Sequence, residues 1–253
     1  MIVTGIVLAA AVGGLGYYYY YLRPAPAPPA QRSVIASEQA VAPQPPTPTL
    51  TGDNIDLPPL PETDSLIRDL VSRLSSHPTV AAWLTTKGLI SNFTVVTLTI
   101  AEGHAPTSFL RAVAPRARFR TQGSAGNLFL DPRSYDRYNP YAEAVSGLDA
   151  TATARLYLTV KPRIQDAYSE LGYPNGDFDQ VLARATRELL SAPVPEGPIA
   201  LRQQIMSYAF ADPELESKSA AQKQFMRMGP ENMRTVQAKV REIAALLNLP
   251  QKE

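Results

Sequence analysis

The chain has 253 residues, with 24 Lys and Arg against 23 Asp and Glu, two His and no Cys. A net charge of +1 argues against a general nucleic-acid binder, which carries a large basic excess. The lack of cysteine removes thiol catalysis, thiolate-held zinc, cysteine-ligated iron–sulfur clusters and any disulfide, without fixing the compartment.

From Ile2 to Leu22 the only ionisable side chains are tyrosine phenols, which stay neutral at pH 7. About 20 helical residues span roughly 30 Å, the thickness of a bilayer's hydrocarbon core, so this stretch predicts a single-pass transmembrane helix over residues 1–22. Tyr17, Tyr18, Tyr19, Tyr20 and Tyr21 stand where rings with a polar tip favour the membrane–water interface. Arg23-Pro24 stops the helix. Gly13, Gly14 and Gly16 either form a notch for close packing by another helix or are simply tolerated there. A cleaved signal peptide needs a basic start and a small-residue cleavage site. Here the start has no Lys or Arg, and prolines surround Ala25-Pro26-Ala27, so the reading is an uncleaved anchor. Arg23 and Arg32, counted by the positive-inside rule, place the body in the cytoplasm.

Residues 23–61 hold 11 of the 24 prolines, which forbids a packed helix or sheet interior. Extended at about 3.1 Å per residue, this linker reaches on the order of 120 Å. It is read as a spacer or as a strap laid over a partner. Residues 62–253 are sufficient for one domain with its own core.

In that body, Thr63 or Asp64 is expected to cap a helix through Leu66, Ile67, Leu70, Val71 and Leu74. Pro78 opens a second helix ending at Gly88. Ile90, Phe93, Val96 and Ile100 predict a third, with a strand competing because of its β-branched content. A short helix follows over about 106–113. Residues 116–121 alternate, setting Arg116, Arg118 and Arg120 on one strand face and Ala117, Phe119 and Thr121 on the other. A turn at 123–126 then leads to Leu128–Leu130 as a hairpin. Asp149 caps a long helix that Pro162 is expected to kink or split. Asp177 caps a helix over 178–190, and residues 199–202 and 205–210 form a short strand pair. A helix near 219–227 and an amphipathic helix through Met233, Val236, Val240, Ile243 and Leu247 close the chain. The predicted fold is mainly α: an anchor, a proline-rich tether, and a multi-helix domain with one or two small β-hairpins.

No catalytic residue, metal ligand or cofactor site is assigned. His77 and His104 read as turn residues. There is no G-x-S-x-G elbow, phosphate loop, dinucleotide fingerprint or acid–base carboxylate pair. The candidate contact is basic: Arg111 with Arg116, Arg118 and Arg120 can meet phosphate, lipid headgroups or an acidic partner, or pair internally with Asp131 and Asp136. Tyr135, Tyr138 and Tyr141 form either a core-and-rim cluster or a contact surface.

The segments at 57–78, LDPRSYDRYNPYAEAVSGLDATATARLY, KPRIQDAYSELGYPNGDF and FADPELESKSAAQKQFMRMGPENMRTVQAKVREIA together resemble the bacterial family catalogued as domain of unknown function 3014. The resemblance covers roughly residues 57–247. It implies a membrane anchor, a proline-rich tether and a body on the outer side of a Gram-negative inner membrane. It implies no activity and carries over no site residues. The chain departs from the usual anchor in lacking basic residues before the helix; the resemblance is followed over the charge rule, so a periplasmic body is expected, with a cytoplasmic one as the alternative.

These readings make the chain a non-enzymatic accessory subunit, without cofactor, embedded in the lipid bilayer. It is expected to dock on other subunits of a larger inner-membrane complex, with photosynthetic reaction-centre and respiratory assemblies first in view. The alternative is an envelope module that binds an anionic polymer or lipid through the arginine face. Neither reading involves nucleic acid.

Overall fold

The computed structural model describes residues 50–249 except 125 and 206, all within one compact unit. The expected anchor, with Gly13, Gly14, Gly16 and the Tyr17–Tyr21 belt, lies outside the described residues, as does most of the tether. Among the described residues, no helix is long and apolar enough to cross a membrane.

A helical lobe comes first. Helix α1 spans Asp64–Leu74 and buries Ile67, but neither expected cap acts on it. The Thr63 hydroxyl donates back to the Leu60 carbonyl at 2.8 Å. Asp64 instead serves α3, accepting from the backbone N–H of Gly88 at 2.9 Å and of Leu89 at 2.8 Å. Helix α2, Pro78–Leu84, starts on His77, whose Nδ1 accepts from the Thr79 N–H at 3.2 Å. It ends before the predicted Gly88 because the hydroxyls of Thr85 and Thr86 donate to the Ala82 and Trp83 carbonyls, closing the chain into a turn. Helix α3, Leu89–Ala101, is a helix despite its β-branched content. Thr94, Thr97 and Thr99 donate to the carbonyls of Ile90, Phe93 and Val95 at 2.9, 2.8 and 2.7 Å. Each hydroxyl is thus spent within the helix, which lets Thr94 and Thr97 be buried.

Between α3 and the first strand, the expected helix over 106–113 is reduced to a 3₁₀ turn at Arg111–Val113. The expected arginine strand is also absent. Strand β1 is Thr121–Ser124 and pairs with β2, Asn127–Leu130, in a register that ends at Thr121↔Leu130. Past Leu130 the partner chain turns at Asp131-Pro132 into a 3₁₀ turn, so the ladder stops after one more bond, from the Asp131 N–H to the Arg120 carbonyl at 3.2 Å. Alternation alone does not make a strand. Strand β3, Ala200–Gln203, pairs with β2 and with β4, Tyr208–Phe210, all antiparallel. The two expected hairpins are thus one four-stranded sheet in the order β1-β2-β3-β4.

Helix α4 is Asn139–Ser146. Helix α5, Ala150–Glu170, is capped by Asp149 through the Ala152 N–H at 2.6 Å and runs through Pro162 without splitting. Helix α6, Phe178–Leu190, is capped by Asp177 as expected. Then come α7 at Pro213–Glu216, α8 at Ala220–Met226 and α9 at Pro230–Leu246. Gly229, with φ +85°, makes the break before α9, and a Cβ there would sit 2.4 Å from the Tyr135 ring, so only glycine fits.

Two cores result. One gathers Ile67, Leu89, Tyr157, Ile164, Phe178 and Val181 from α1, α3, α5 and α6. The other gathers Leu130, Leu201, Phe210, Met226 and Met233 from the sheet, α8 and α9. The end of the proline-rich stretch belongs to the first. Leu57 and Leu60 pack against it, the Asp53 N–H donates to Thr159 Oγ1 at 2.8 Å, and Arg163 Nη2 donates to the Leu57 carbonyl at 2.7 Å. A Cβ on Gly52 would lie 2.5 Å from the Thr159 nitrogen, so backbone rests directly on backbone there.

Candidate functional site

Arg111, Arg116, Arg118 and Arg120 fall on the irregular segment between α3 and β1, and all four are exposed. Among the described residues none of them forms an ion pair. Asp131, the partner expected from the sequence, is taken by Arg133, whose Nη2 lies 2.6 Å away and whose Nε is 3.0 Å from the same oxygen. Hydrogen bonds from the Arg133 side chain and N–H hold the Asp131 carboxyl below the usual range, with Arg120 adding only a distant contribution. The basic segment therefore shows its charge to solvent.

Its backbone, by contrast, is pinned. The Tyr141 hydroxyl donates to the Val113 carbonyl. Ser134, fully buried, accepts from the Arg120 N–H at 2.7 Å and donates to the Arg120 carbonyl at 2.9 Å. Phe119 is clamped between the Tyr208 ring, 5.5 Å away, and the Arg137 guanidinium, 5.4 Å from its centroid. Arg137 also lies 5.0 Å from the Tyr138 ring and donates to the Ser134 carbonyl at 2.8 Å. Tyr135, Tyr138 and Tyr141 are all half-buried; Tyr138 and Tyr141 lie beside the segment, while Tyr135 packs over Gly229. Burial and the neighbouring Tyr138 push the Tyr141 phenol up, with Arg116 pulling the other way. An apolar groove of about 260 Å³ runs under the segment, lined among others by Ile100, Leu110, Val113, Tyr141 and Phe225. Phe109 stands exposed beside it.

Two arrangements in the helical lobe escaped the sequence. Tyr157 donates to Asp179 Oδ1 at 2.6 Å, and Lys161 donates to Asp179 Oδ2 at 2.5 Å. The spacing Tyr-x-x-x-Lys puts both on one face of α5, but their common partner lies on α6. Burial, then the Asp179 hydrogen bond and charge, push the Tyr157 phenol far up. It stays protonated, so the trio acts as a clamp between α5 and α6 rather than as a base. The second is an apolar cavity of about 360 Å³ bounded by α1, α2, α3, α5, α6 and α9. Ile100 and Leu189 form walls of both this cavity and the groove. Neither arrangement leaves a signal in one segment of sequence, because each is assembled from several. Among the described residues no cluster of His, Asp and Glu could hold a metal ion.

The family described as Protein of unknown function (DUF3014) matches residues 89–244, from the first residue of α3 to near the end of α9, and the chain belongs to that family. No curated protein and no solved structure matches it.

Proposed function

We propose that this DUF3014 member is a non-enzymatic, membrane-anchored accessory subunit that docks on a larger inner-membrane complex through the segment 111–120. The observation behind this reading is the set of four exposed guanidiniums that form no ion pair among the described residues, held on a pinned backbone. Like charges on one segment repel, and an acidic partner face relieves that repulsion with charge-assisted hydrogen bonds. A pre-ordered backbone lowers the entropy cost of docking. The apolar stretch 2–22 supports anchoring, and the family resemblance supports a periplasmic body. Photosynthetic and respiratory assemblies are the partners to examine first.

A second reading has its own observation. The apolar groove and exposed Phe109 beside the arginines suit an anionic lipid or polymer that also offers apolar surface. Purification of the tagged native protein in gentle detergent, with mass identification of co-migrating chains, separates the two. A stoichiometric protein complex that the variant Arg111→Glu/Arg116→Glu/Arg118→Glu/Arg120→Glu loses supports docking through this segment. A complex unaffected by the four reversals removes the segment from the interface. A lone monomer that binds anionic vesicles, and stops doing so after reversal, replaces the first reading with the second.

A further inference from the structure

We infer that the helical lobe holds a binding site for a single hydrocarbon chain, the tail of a fatty acid or of a membrane lipid. The inference stands apart from the arginine segment, since it concerns the apolar cleft of about 360 Å³, open on one side, that α1, α2, α3, α5, α6 and α9 bound. That volume lies within the range of small-molecule sites and well above the stray voids of a packed interior.

The shape selects the ligand. The cavity touches α3 from Leu89 to Ile100 and α5 from Thr153 to Ile164, about 16 Å of helix axis at 1.5 Å per residue. Spread over that length, the volume makes an elongated slot rather than a round chamber. The wall chemistry agrees. The Thr97 hydroxyl is spent on the Phe93 carbonyl, Thr153 on the Asp149 carbonyl and Tyr157 on Asp179. Three of the four lining hydroxyls are thus satisfied, Thr186 being the fourth, and among the described residues no charged side chain lines the slot. A ligand inside must bring hydrocarbon and keep its headgroup outside. Wall residues such as Leu156, Leu182, Leu189 and Ile243 are only half-buried, so apolar surface along the cleft is left for an occupant to cover.

Trp83 lines the slot and is the chain's sole tryptophan, so its emission reports occupancy. The full chain in bilayer nanodiscs is titrated with 9,10-dibromostearic acid in one arm. In the other, the nanodisc lipid is replaced by dibrominated phosphatidylcholine. Saturable quenching of Trp83 in the first arm alone identifies a free fatty acid as the source of the tail, and quenching in the second identifies a bilayer lipid. Ala185→Phe fills the slot from α6 and should raise the half-quenching concentration by roughly tenfold or more. Ala244→Leu does the same from α9 and is the variant to read if Ala185→Phe fails to fold. The four arginine reversals should leave quenching unchanged, so failure of docking and failure of chain binding are distinguishable. No quenching in either arm, or equal quenching in the filled variants, overturns the inference.

Discussion

The helical lobe and the sheet lobe are built on different terms. In the first, α5 and α6 begin on their own caps, Asp149 and Asp177, and the core around Phe178 leaves a slot open beside it. In the second, order comes from partners distant in sequence: β2 meets β3 across some seventy residues, and buried side chains bridge elements. Gln222 donates to the Glu188 carbonyl at 3.1 Å, and Gln237 donates to the Leu189 and Ala192 carbonyls at 3.0 and 3.1 Å. These two glutamines satisfy groups at the C-terminal end of α6 that a helix otherwise leaves orphaned. Local signals thus start the helices of the first lobe, which Asp64 and Asp179 then tie together, while the sheet lobe depends on distant partners for its elements as well.

The comparison breaks most visibly at Phe178. It is fully buried, with the Tyr168 ring 5.7 Å away and the Phe93 ring 6.1 Å away. Phe178→Ala should cost about 3–5 kcal/mol in denaturant unfolding. Leu156→Ala, on the wall of a slot that is already open, removes a side chain with fewer neighbours and should cost less than about 2 kcal/mol. Equal losses would mean that the slot is closed in solution.

Gln237→Leu tests the polar bridges. It keeps the volume and strands two carbonyls, so a loss of about 1–3 kcal/mol is expected. A neutral result would show that water reaches the end of α6.

Asp64→Asn comes next. Burial raises the Asp64 carboxyl, but the N–H groups of Leu89 and Gly88 together with Arg68 outweigh it and hold the group below its ordinary value of 3.8. A depressed carboxyl contributes stability that is present above 3.8 and lost as pH falls through the folded value. The variant should lose about 1 kcal/mol at neutral pH and show a shallower decline on acidification. An unchanged acid limb would remove Asp64 from that account.

Much of this architecture was legible because helix signals are local. Asp149, Asp177 and the Gly229-Pro230 break mark their helices within a few residues of sequence. Asp64 looked like a cap and is one, but for a helix that starts 25 residues later. That pairing needs tertiary structure to bring α1 against α3. The arginine segment was misread for the complementary reason. Its alternation places Phe119 half-buried and the arginines exposed, but fails at Ala117, which is also exposed, and among the described residues no strand lies alongside 116–120. The exposure of Arg118 and Arg120 was readable, while the clamp by Tyr208, Arg137 and Ser134 was not, since its members come from two other segments.

The smallest stability effect should fall where the candidate contact is. Arg118→Glu alters an exposed side chain with no ion pair among the described residues, so its unfolding free energy should stay within about 0.5 kcal/mol of the parent. Arg137→Ala is the control a few residues away in space. It removes a guanidinium lying over both Phe119 and Tyr138 and a hydrogen bond to Ser134, and a loss of about 1–2 kcal/mol is expected. If Arg118→Glu destabilises as much as Arg137→Ala, the arginine is serving the fold and not a partner. If only Arg137→Ala does, the protein keeps its structural arginine under the segment and holds the exposed ones in reserve for something outside itself.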